Sequence, residues 1–590
     1  MTINRRDFLK GSIFLAGGLF LPAHIVSCNG NNERIYDILI YGASSAGIIA
    51  AVTAARKGRS VILIEPSNHL GGLTTGGLGA TDIGLEGTIG GLSLEFYTRI
   101  REYYKSDDPW LHENRTEYMN RAGGFLRPDS KGMFGFEPHV ARKVYEVMLK
   151  ESGVPVVMND RIRLDSHGVE KRDDKITGIV TEDGNLYRAK VFIDASYEAD
   201  LMAMAGVSYH VGREANSEYD ETLNGVQKVR TNNHIFPGFV DPYVEPGNPG
   251  SGILPGLHDG DPGEEFSGDH RIQAYCFRMC LTDAEEIKVP FEKPVGYDEL
   301  QYELLFRNYE AGEVRGLPMS PMPNRKTDTN NRWGFSTNMI GVNYEYPDGD
   351  YSVREAIINK QEKYQRGLMW TLANHPRIPE DVRNQVGNWG LAGDEFTENN
   401  NWPTQIYVRE ARRMIGEYII TEQDCRRLRM AGDPIGLGSY TMDSHNVQRY
   451  ITENGCVQNE GNIEVSPGGP YQISYRSLLP KKEECSNLLV CCNGVSSSHI
   501  AFGSIRMEPV FMMLGQSAAT VAAQSLDDGV ALHGIDYNKL RNQLITDGQQ
   551  LDIDLDKYPP LPPDVEQPIE RQRHITEPIV ENSCVVRLKN

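Results

Sequence analysis

The chain has 590 residues, of which 39% are hydrophobic and 24% are charged, and its formal net charge at pH 7 is −21. This length is sufficient for two or three domains, and the balance is that of an ordinary globular protein. The acidic charge argues against nucleic acid as a partner and against electrostatic docking on an anionic membrane surface. The 9 cysteines form no CxxC pair, so the sequence indicates no iron–sulfur cluster or dithiol site, and no metal site is expected.

The first 27 residues are predicted to be an export signal and not part of the fold. Arg5 and Arg6 precede a modest apolar run over residues 13–22, which resembles a Tat signal. That run is shorter than the ~20 apolar residues of a membrane span. Residues 25–28 resemble a lipobox in which Cys28 is acylated, the alternative being an ordinary cleavage site nearby. We therefore expect a periplasmic protein attached to a membrane only by lipid on Cys28.

Residues 37–79 carry the most specific local pattern of the chain. Residues 38–40 form a short apolar strand, residues 48–56 have helical composition, and residues 61–64 form a second buried strand. Gly42, Ser44 and Gly47 fill the small-residue places of the dinucleotide fingerprint between the first strand and the helix. The alternative is an ordinary βαβ turn that binds nothing.

Each part of this pattern matches a contact with a dinucleotide. A glycine at 42 allows the tight turn, a small residue at 44 lets backbone approach a pyrophosphate, and Gly47 lets the helix pack on the strand. Glu65 closes the second strand at close to the expected ~20-residue spacing, where it can accept hydrogen bonds from a ribose diol. The predicted cofactor-binding residues of this stretch are Gly42, Ala43, Ser44, Ser45, Ala46, Gly47, Glu65, Pro66, His69, Gly71, Gly72, Leu73 and Thr74.

The rest of the chain predicts a discontinuous fold. Helices are expected over residues 93–104, 137–151 and 508–524, strands over 154–158 and 487–492, hairpins over 161–191, and a strand that enters a helix over 191–200. The predicted dinucleotide-binding domain comprises residues 34–100, 136–211 and 482–548. The predicted substrate or cap domain comprises residues 101–135 and 212–481, and residues 549–590 form a C-terminal extension.

Several stretches resemble the bacterial FAD-dependent oxidoreductases of the glutathione-reductase-like flavoprotein superfamily. They are residues 64–79, 136–149, 191–216, 407–421, 441–450 and 496–520. More narrowly, the chain resembles a secreted group common in polysaccharide-degrading bacteria, some members of which carry the label "xanthan lyase"; no residues here support a lyase mechanism. The resemblance implies an α/β fold with a Rossmann-like FAD-binding domain interrupted by a large α+β substrate domain, and FAD as the cofactor.

The resemblance also implies further cofactor contacts. Asp194 and Ala195 occupy the place where a second strand end approaches the pyrophosphate, although Ala195 is followed by Ser-Tyr where many relatives have Thr-Gly. The helix that starts near Glu508 directs its N-terminal dipole at the flavin pyrimidine ring, which brings Ser498 and Gly515 near the flavin. Without a second nucleotide fingerprint, no pyridine-nucleotide site is expected. The electron acceptor is then a quinone, a cytochrome or oxygen.

His499, Arg506 and His445 are the predicted catalytic residues. His499 is the first choice for a base because it lies beside the predicted flavin-binding turn, and His445 is the second. Arg506 has two interpretations, as a ligand of a substrate carboxylate or flavin O2, or as an ion-pair partner of Glu508. A structural role is the alternative for both histidines.

The predicted substrate contacts are Arg409, Arg413, Tyr475 and Arg476. Arg409 and Arg413 have i, i+4 spacing and would share a helix face that could hold an anion, the alternative being a solvated or ion-paired face. Tyr475 and Arg476 lie where the chain returns from the insertion to the flavin fold.

The leading hypothesis is an exported oxidoreductase that transfers hydride at flavin N5 to or from a small polar organic substrate. The habitat of the group suggests a sugar or a sugar-derived acid. One alternative is a fumarate-reductase-like enoate reductase, which would need paired arginines. The other is a carbohydrate-active lyase or binding protein with structural FAD, in which Trp333, Trp370, Trp389 and Trp402 stack on sugar rings.

Overall fold

The computed structural model describes residues 34–122, 129–231 and 233–563. The predicted export signal over residues 1–27, the predicted lipid-bearing Cys28 and most of the predicted C-terminal extension lie outside the described residues. Among the helices within the described ranges, none is long and apolar enough to cross a bilayer.

Helices and strands are distributed along the whole described chain. The helices, numbered in chain order, are α1 (Ser45–Arg56), α2 (Gly72–Gly76), α3 (Gly91–Tyr103), α4 (Arg115–Ala122), α5 (Pro138–Ser152), α6 (Asp200–Met204), α7 (Glu303–Glu310), α8 (Tyr351–Asn374), α9 (Glu380–Gly387), α10 (Glu422–Cys425), α11 (His499–Ile505), α12 (Glu508–Asp528) and α13 (Tyr537–Thr546). The strands are β1 (Ile35–Tyr41), β2 (Val61–Glu65), β3 (Val156–Met158), β4 (Val169–Arg172), β5 (Lys175–Val180), β6 (Leu186–Asp194), β7 (Tyr209–His210), β8 (Met279–Thr282), β9 (Lys288–Val289), β10 (Ser320–Met322), β11 (Lys326–Thr329), β12 (Gly390–Ala392), β13 (Arg413–Met414), β14 (Pro434–Gly438), β15 (Met442–Ser444), β16 (Gln448–Ile451), β17 (Val457–Glu460), β18 (Ile463–Val465), β19 (Tyr471–Ser474) and β20 (Leu488–Val490).

The largest sheet combines strands from separate parts of the chain. Its order is β3-β2-β1-β6-β5-β4, and β20 also pairs with β6. β1 lies parallel to β2 and to β6, and β20 lies parallel to β6, whereas β4 and β5 add an antiparallel extension. The parallel strands end together at Tyr41, Glu65, Asp194 and Val490. In open parallel sheets, ligands bind at this carboxyl edge.

Helices α1 and α12 cross closely beside this sheet. α1 begins after Ser44, whose hydroxyl accepts a hydrogen bond from the Gly47 N–H at 3.4 Å, and its isoleucine side chains and its alanine side chains up to Ala54 are buried. Every residue of α12 from Glu508 to Ser525 is buried. At Gly515, an added Cβ would lie 2.2 Å from the carbonyl oxygen of Ala46. The missing side chain at 515 therefore allows α12 to approach the start of α1.

A second sheet lies in the middle part of the chain. Its order is β10-β11-β8-β12-β9, and its neighbouring strands are antiparallel. Further short strands pair two by two, as β7 with β13, β14 with β19, β15 with β18 and β16 with β17. β15 packs against α11, and β14 packs against α12. The middle of the chain thus delivers residues 434–444 to the helices that follow β20.

The predicted α/β class with a Rossmann-like sheet is confirmed. The strands expected over residues 38–40, 61–64 and 487–492 correspond to β1, β2 and β20, and the expected helices correspond to α1, α3, α5 and α12. The helix face predicted for Arg409 and Arg413 is wrong, because residues 406–412 form neither helix nor strand and Arg413 begins β13. The boundaries of the two predicted domains stay predictions.

Candidate functional site

The loop between β1 and α1 is built from residues that leave no room for side chains. Gly42 has a φ of +95°, and an added Cβ would lie 2.7 Å from the backbone nitrogen of Ser196. A Cβ on Gly47 would lie 1.9 Å from the Gly42 carbonyl oxygen. The Ser44 hydroxyl donates to the Ala195 carbonyl oxygen at 2.6 Å. The three fingerprint positions therefore hold the loop against the end of β6, with the N-terminus of α1 directed at the sheet edge.

Glu65 ends β2 and is held by this loop. Its Oε2 accepts a hydrogen bond from the Ala43 N–H at 2.6 Å, and its Oε1 accepts from the N–H and hydroxyl of Ser67 at 2.9 and 2.6 Å. Burial raises the pKa of Glu65 to about 7, against these hydrogen bonds, which favour the carboxylate. Pro66 follows as a half-buried residue. Oε2, which accepts one hydrogen bond, keeps a lone pair for a further donor.

The predicted glycine pair starts α2 beside the same loop. The Gly71 N–H donates to the Ala43 carbonyl oxygen at 2.8 Å. A Cβ on Gly72 would meet the ring of Tyr197, whose hydroxyl accepts from the Leu73 N–H at 2.9 Å. The tyrosine that replaces the family's usual glycine thus fills the space beside the glycine pair.

Glu508, the first residue of α12, joins three of these segments. Its carboxylate accepts from the Thr74 hydroxyl at 2.8 Å and from the Tyr197 hydroxyl at 2.9 Å. Burial raises the pKa of Glu508, and the hydrogen bonds from Ser45, Thr74 and Tyr197 only partly offset it. Sequence reasoning considered Glu508 only as an ion-pair partner of Arg506, and the Glu508 contacts lie instead with the segment after β2.

The side chains of His69, Asp194 and Ser498 form hydrogen bonds with other groups of the protein. The His69 ring bonds the Gly72 carbonyl oxygen and the hydroxyls of Thr75 and Thr404, and burial lowers its pKa to about 4. Asp194 accepts from Ser196 and from the Met202 N–H, and burial raises its pKa to about 6. The Ser498 hydroxyl caps α11 and donates to Glu221 at 2.6 Å. These contacts orient the sheet edge and the start of α11.

His499 and Glu410 form a buried pair at the N-terminus of α11. The His499 Nδ1 lies 2.8 Å from a Glu410 carboxylate oxygen, and its Nε2 lies 2.8 Å from the Ser444 hydroxyl. The same Glu410 oxygen accepts from Arg413 at 2.9 Å. Burial opposes ionisation of Glu410, but His499 and Arg413 outweigh it and lower its pKa. Arg413 also pairs with Glu214 at 2.8 Å, so its charge is fully balanced.

Asp443, which lies on the short strand β15, contacts both Arg506 and His445. The Arg506 Nη2 donates to Asp443 Oδ2 at 2.7 Å, and the His445 Nε2 lies 3.4 Å from that oxygen. The ion pair of Arg506 is therefore with Asp443 and not with Glu508. Burial lowers the pKa of His445 to about 3, assisted by the charge of Arg409 and opposed by Asp443. This imidazole is neutral at physiological pH.

The segment 443–445 brings the predicted catalytic residues together. Ser444 bonds His499, while its neighbours Asp443 and His445 face Arg506. The Arg506 guanidinium also donates to the hydroxyl of Tyr407. The guanidinium carbons of Arg409 and Arg506 lie 4.6 and 5.6 Å from the Tyr407 ring centroid. Sequence reasoning missed Tyr407, Glu410 and Asp443, although all three lie inside the stretches that carry the family resemblance.

Two of the predicted substrate residues lie elsewhere. Tyr475 and Arg476 lie on the short turn Tyr475–Leu478. The Arg476 side chain is 44% exposed, pairs with Asp433 at 2.8 Å and lies 5.0 Å above the ring of Tyr418. None of the described contacts of this arginine reaches His499, Arg506 or His445.

A ligand-like cluster at Glu137, His139 and Glu395 already holds an ammonium group. The ligand atoms of these residues lie within 4.8 Å of one another. The buried Lys326 Nζ lies 2.8 Å from a carboxylate oxygen of Glu137, of Glu395 and of Asp394. Burial opposes protonation of His139, but Glu395 outweighs it and raises the pKa of His139 to about 9, so Lys326 and His139 together supply the positive charge of the cluster.

The parallel sheet, the glycine loop, helix α1 and the acid at the end of β2 define a dinucleotide-binding α/β protein. A family model described as "FAD dependent oxidoreductase" matches residues 37–544. Because this match covers most of the chain, the chain belongs to that family of enzymes, and FAD is its cofactor. A comparison with curated proteins finds no match.

Solved structures match only parts of the chain. L-proline dehydrogenase from P. horikoshii is 15% identical with a TM-score of 0.23, and the match covers 31% of this chain and 59% of that one. Thioredoxin reductase from Streptococcus pyogenes is 23% identical with a TM-score of 0.17, covering 32% and 40%. L-amino acid deaminase from Proteus vulgaris is 14% identical with a TM-score of 0.22, covering 36% and 56%. The chain thus spans less than two thirds of each, and these scores transfer no function.

The described residues fit an adenine dinucleotide at the glycine loop. The backbone there has no space for side chains at Gly42 and Gly47. The Ser45 hydroxyl is buried in the first turn of α1, where it lies beside the Glu508 carboxylate. A helix N-terminus with a buried hydroxyl suits a phosphate oxygen. The residues that would hold FAD are therefore those of the loop 42–47, Glu65 and the segment 71–74.

Proposed function

We propose that this chain is an exported FAD-dependent oxidoreductase that oxidises a small polar organic substrate, with a sugar or a sugar acid as the substrate class. The observation that carries the proposal is the convergence of three predicted catalytic residues at segment 443–445. Ser444 contacts His499, and Asp443 contacts both Arg506 and His445. This convergence lies at the starts of α11 and α12, which follow the last strand of the cofactor-binding sheet.

His499 is the better candidate for the base. Oxidation of an alcohol requires that its hydroxyl proton is taken up as the carbonyl forms. Glu410 fixes the imidazole through Nδ1, which leaves Nε2 directed at the Ser444 hydroxyl. A substrate hydroxyl in place of that serine contact would deliver its proton to Nε2. FAD, when bound, supplies the acceptor for the hydride that leaves the substrate carbon.

His445 is suited to a different task. Its pKa of about 3 makes it a weak base but keeps it neutral over the physiological range. A neutral imidazole held between Asp443 and Asn331 uses both ring nitrogens, so it can fix these two neighbours beside a substrate without competing as a base. We therefore assign His445 to substrate positioning and His499 to proton uptake.

The proposal is tested by the rate of flavin reduction. His499→Gln is expected to lower the rate constant for reduction by the substrate ~10²–10⁴-fold, the usual contribution of a positioned base. His167→Gln changes an exposed histidine outside the cluster and serves as the matched control. Anaerobic stopped-flow absorbance measures both rates. An unchanged rate constant in His499→Gln protein that retains FAD would refute the assignment.

A second candidate function is reduction of an enoate. It is favoured by the two buried guanidinium groups of Arg409 and Arg506, which both lie near the Tyr407 ring, since such reductases need paired arginines. The direction of electron flow separates the candidates. Chemically reduced enzyme that is reoxidised by an enoate, and oxidised enzyme that no alcohol reduces, would replace the first proposal with the second.

Export, attachment and the electron acceptor also belong to the proposal. The acceptor is a quinone, a cytochrome or oxygen, and no pyridine nucleotide is used. The Tat-type signal and a lipid on Cys28 would deliver the folded enzyme to the periplasm and attach it to a membrane. Cys28→Ser is expected to move the protein from the membrane fraction to the soluble fraction. Retention of this variant in the membrane fraction would contradict the lipid attachment.

A further inference from the structure

Arg409 is a buried cation without an anionic partner. Its side chain is fully buried, and its guanidinium donates to the Ala274 carbonyl oxygen and, at 2.9 Å each, to the side-chain oxygens of Asn338 and Asn331. All these acceptors are neutral, and none of the described carboxylates lies within 4.0 Å. Arg413 differs, because it contacts two carboxylates. Since an unpaired buried charge is costly, Arg409 requires an anion.

The neighbours of Arg409 add further unused donors. Asn331 donates to His445 Nδ1 at 3.2 Å while it accepts from Arg409, which links the two residues directly. Gln273 accepts from the His445 backbone N–H at 3.1 Å. Three buried donors in this group have no acceptor among the described residues, namely Arg409 Nε, Arg506 Nε and Gln273 Nε2. Two carboxylates near this group are already engaged. Asp443 is shared by Arg506 and His445, and Glu410 accepts from the Gln273 N–H, from Arg413 and from His499.

This set of donors does not belong to the predicted phosphate site. The residues that contact Arg409 come from the segments 274–276 and 330–338, inside the stretch predicted to form the substrate domain. The glycine loop that fits the cofactor phosphates lies at residues 42–47. A ligand at Arg409 is therefore expected to be a substrate group and not the pyrophosphate of the cofactor.

We propose that Arg409, with Arg506 and Gln273, binds the carboxylate of an organic acid through the three unused donors, so that the substrate of this enzyme is an acid and not a neutral sugar. A carboxylate matches a guanidinium in charge and geometry, and its two oxygens accept several hydrogen bonds at once. Tyr407 and the asparagines hold the guanidinium in place before the ligand arrives. The inference rests on the proposed function, which supplies the reaction in which this acid takes part.

The test measures binding and not turnover. Isothermal titration calorimetry of the FAD-loaded protein compares acetate, glycolate, gluconate and glucuronate with the neutral compounds glucitol and glucose. A charge-assisted hydrogen-bond pair predicts that acids bind about 10-fold or more tightly than their neutral counterparts. Arg409→Gln is expected to remove this preference, and Arg409→Lys, which keeps the charge but loses the unused Nε–H donor, to retain part of it. Arg476→Gln, an exposed arginine already paired with Asp433, is the matched control.

The outcomes separate the two proposals. Equal binding of acids and neutral compounds, binding of none of the acids, or an acid preference that survives in Arg409→Gln would overturn the inference. The comparison on the unaltered protein decides even where Arg409→Gln fails to fold. Inorganic sulfate that binds as tightly as the acids would overturn the carboxylate assignment. Arg409-dependent binding of acids without any flavin reduction would instead refute the proposed oxidation and leave the inference standing.

Discussion

Replacing Gly515 with alanine is expected to separate the two helices that carry the cofactor site. An added Cβ would lie 2.2 Å from the Ala46 carbonyl oxygen, 2.9 Å from its carbonyl carbon and 3.1 Å from its Cα. Cβ atoms are essentially never found closer than 3.0 Å to such atoms, so the helices must move apart locally by about 0.8 Å. The neighbour is backbone, which cannot rotate away as a flexible side chain can.

The cost follows from two opposing effects. Overpacking of a close-packed interior costs about 1–3 kcal/mol. Alanine regains about 1 kcal/mol of helix propensity relative to glycine, so the net destabilisation is at most about 2 kcal/mol. Because Ala46 lies in the first turn of α1, the shift also displaces the loop that fits the phosphates, and FAD affinity should fall at least as much as stability.

Urea unfolding of the apo protein and titration with FAD, followed by flavin fluorescence, measure the two effects. Gly387→Ala is the matched control, because this helical glycine has only the Ala373 carbonyl oxygen nearby, at 3.8 Å. The control should keep or slightly raise stability and leave FAD affinity unchanged. Gly515→Ala protein with the stability and FAD affinity of the unaltered protein would show that α12 does not pack on α1 as described.

Three further predictions concern charge. Burial raises the pKa of Glu65 to about 7 from 4.5, so ionisation of Glu65 destabilises the fold as pH rises through that window. The stability of Glu65→Gln relative to the unaltered protein should therefore rise by up to about 3 kcal/mol from pH 4.5 to 8. A difference in urea unfolding that does not depend on pH would contradict this. Lys326→Met removes the ammonium group from three carboxylates and should lower the free energy of unfolding by about 3–5 kcal/mol. A decrease of less than about 1 kcal/mol in urea unfolding would count against the buried ion cluster. Arg476→Gln breaks an exposed pair with Asp433 and should change stability by less than about 1 kcal/mol, a larger loss of thermal stability being the contrary result.

The cofactor-binding half could be predicted because its signals are local. The turn at Gly42, the helix cap at Ser44 and the acid at the end of β2 depend on neighbours in sequence, and the structure gives each its expected place. Tyr197 was visible as a departure from the family pattern. Its contact with Glu508 was not, because those residues lie 311 positions apart.

The substrate half depends on partners that spacing does not reveal. Arg409 and Arg413 match a helical repeat, but a segment without regular secondary structure can carry the same spacing. Tertiary contacts decide which backbone conformation forms. The sequence does not show that Arg413 is neutralised by a carboxylate whereas Arg409 is not, because Glu214 lies beside Arg413 only in the folded chain. Sequence proximity suggested Glu508 as the partner of Arg506, whereas Asp443, 63 positions away, holds it. Long-range pairing of charges is what the sequence alone does not contain.

Anaerobic bleaching of the bound flavin shows whether the enzyme takes electrons from an organic acid. Protein lacking the residues up to Cys28 is purified, its visible flavin spectrum is recorded, and sugar acids, sugars and polyols are added one at a time without oxygen. We expect that a member of the sugar-acid class bleaches the flavin and that NADH does not. A protein that purifies without flavin and cannot be reloaded with FAD would refute FAD-dependent oxidation, as would bound flavin that NADH reduces and no organic substrate does.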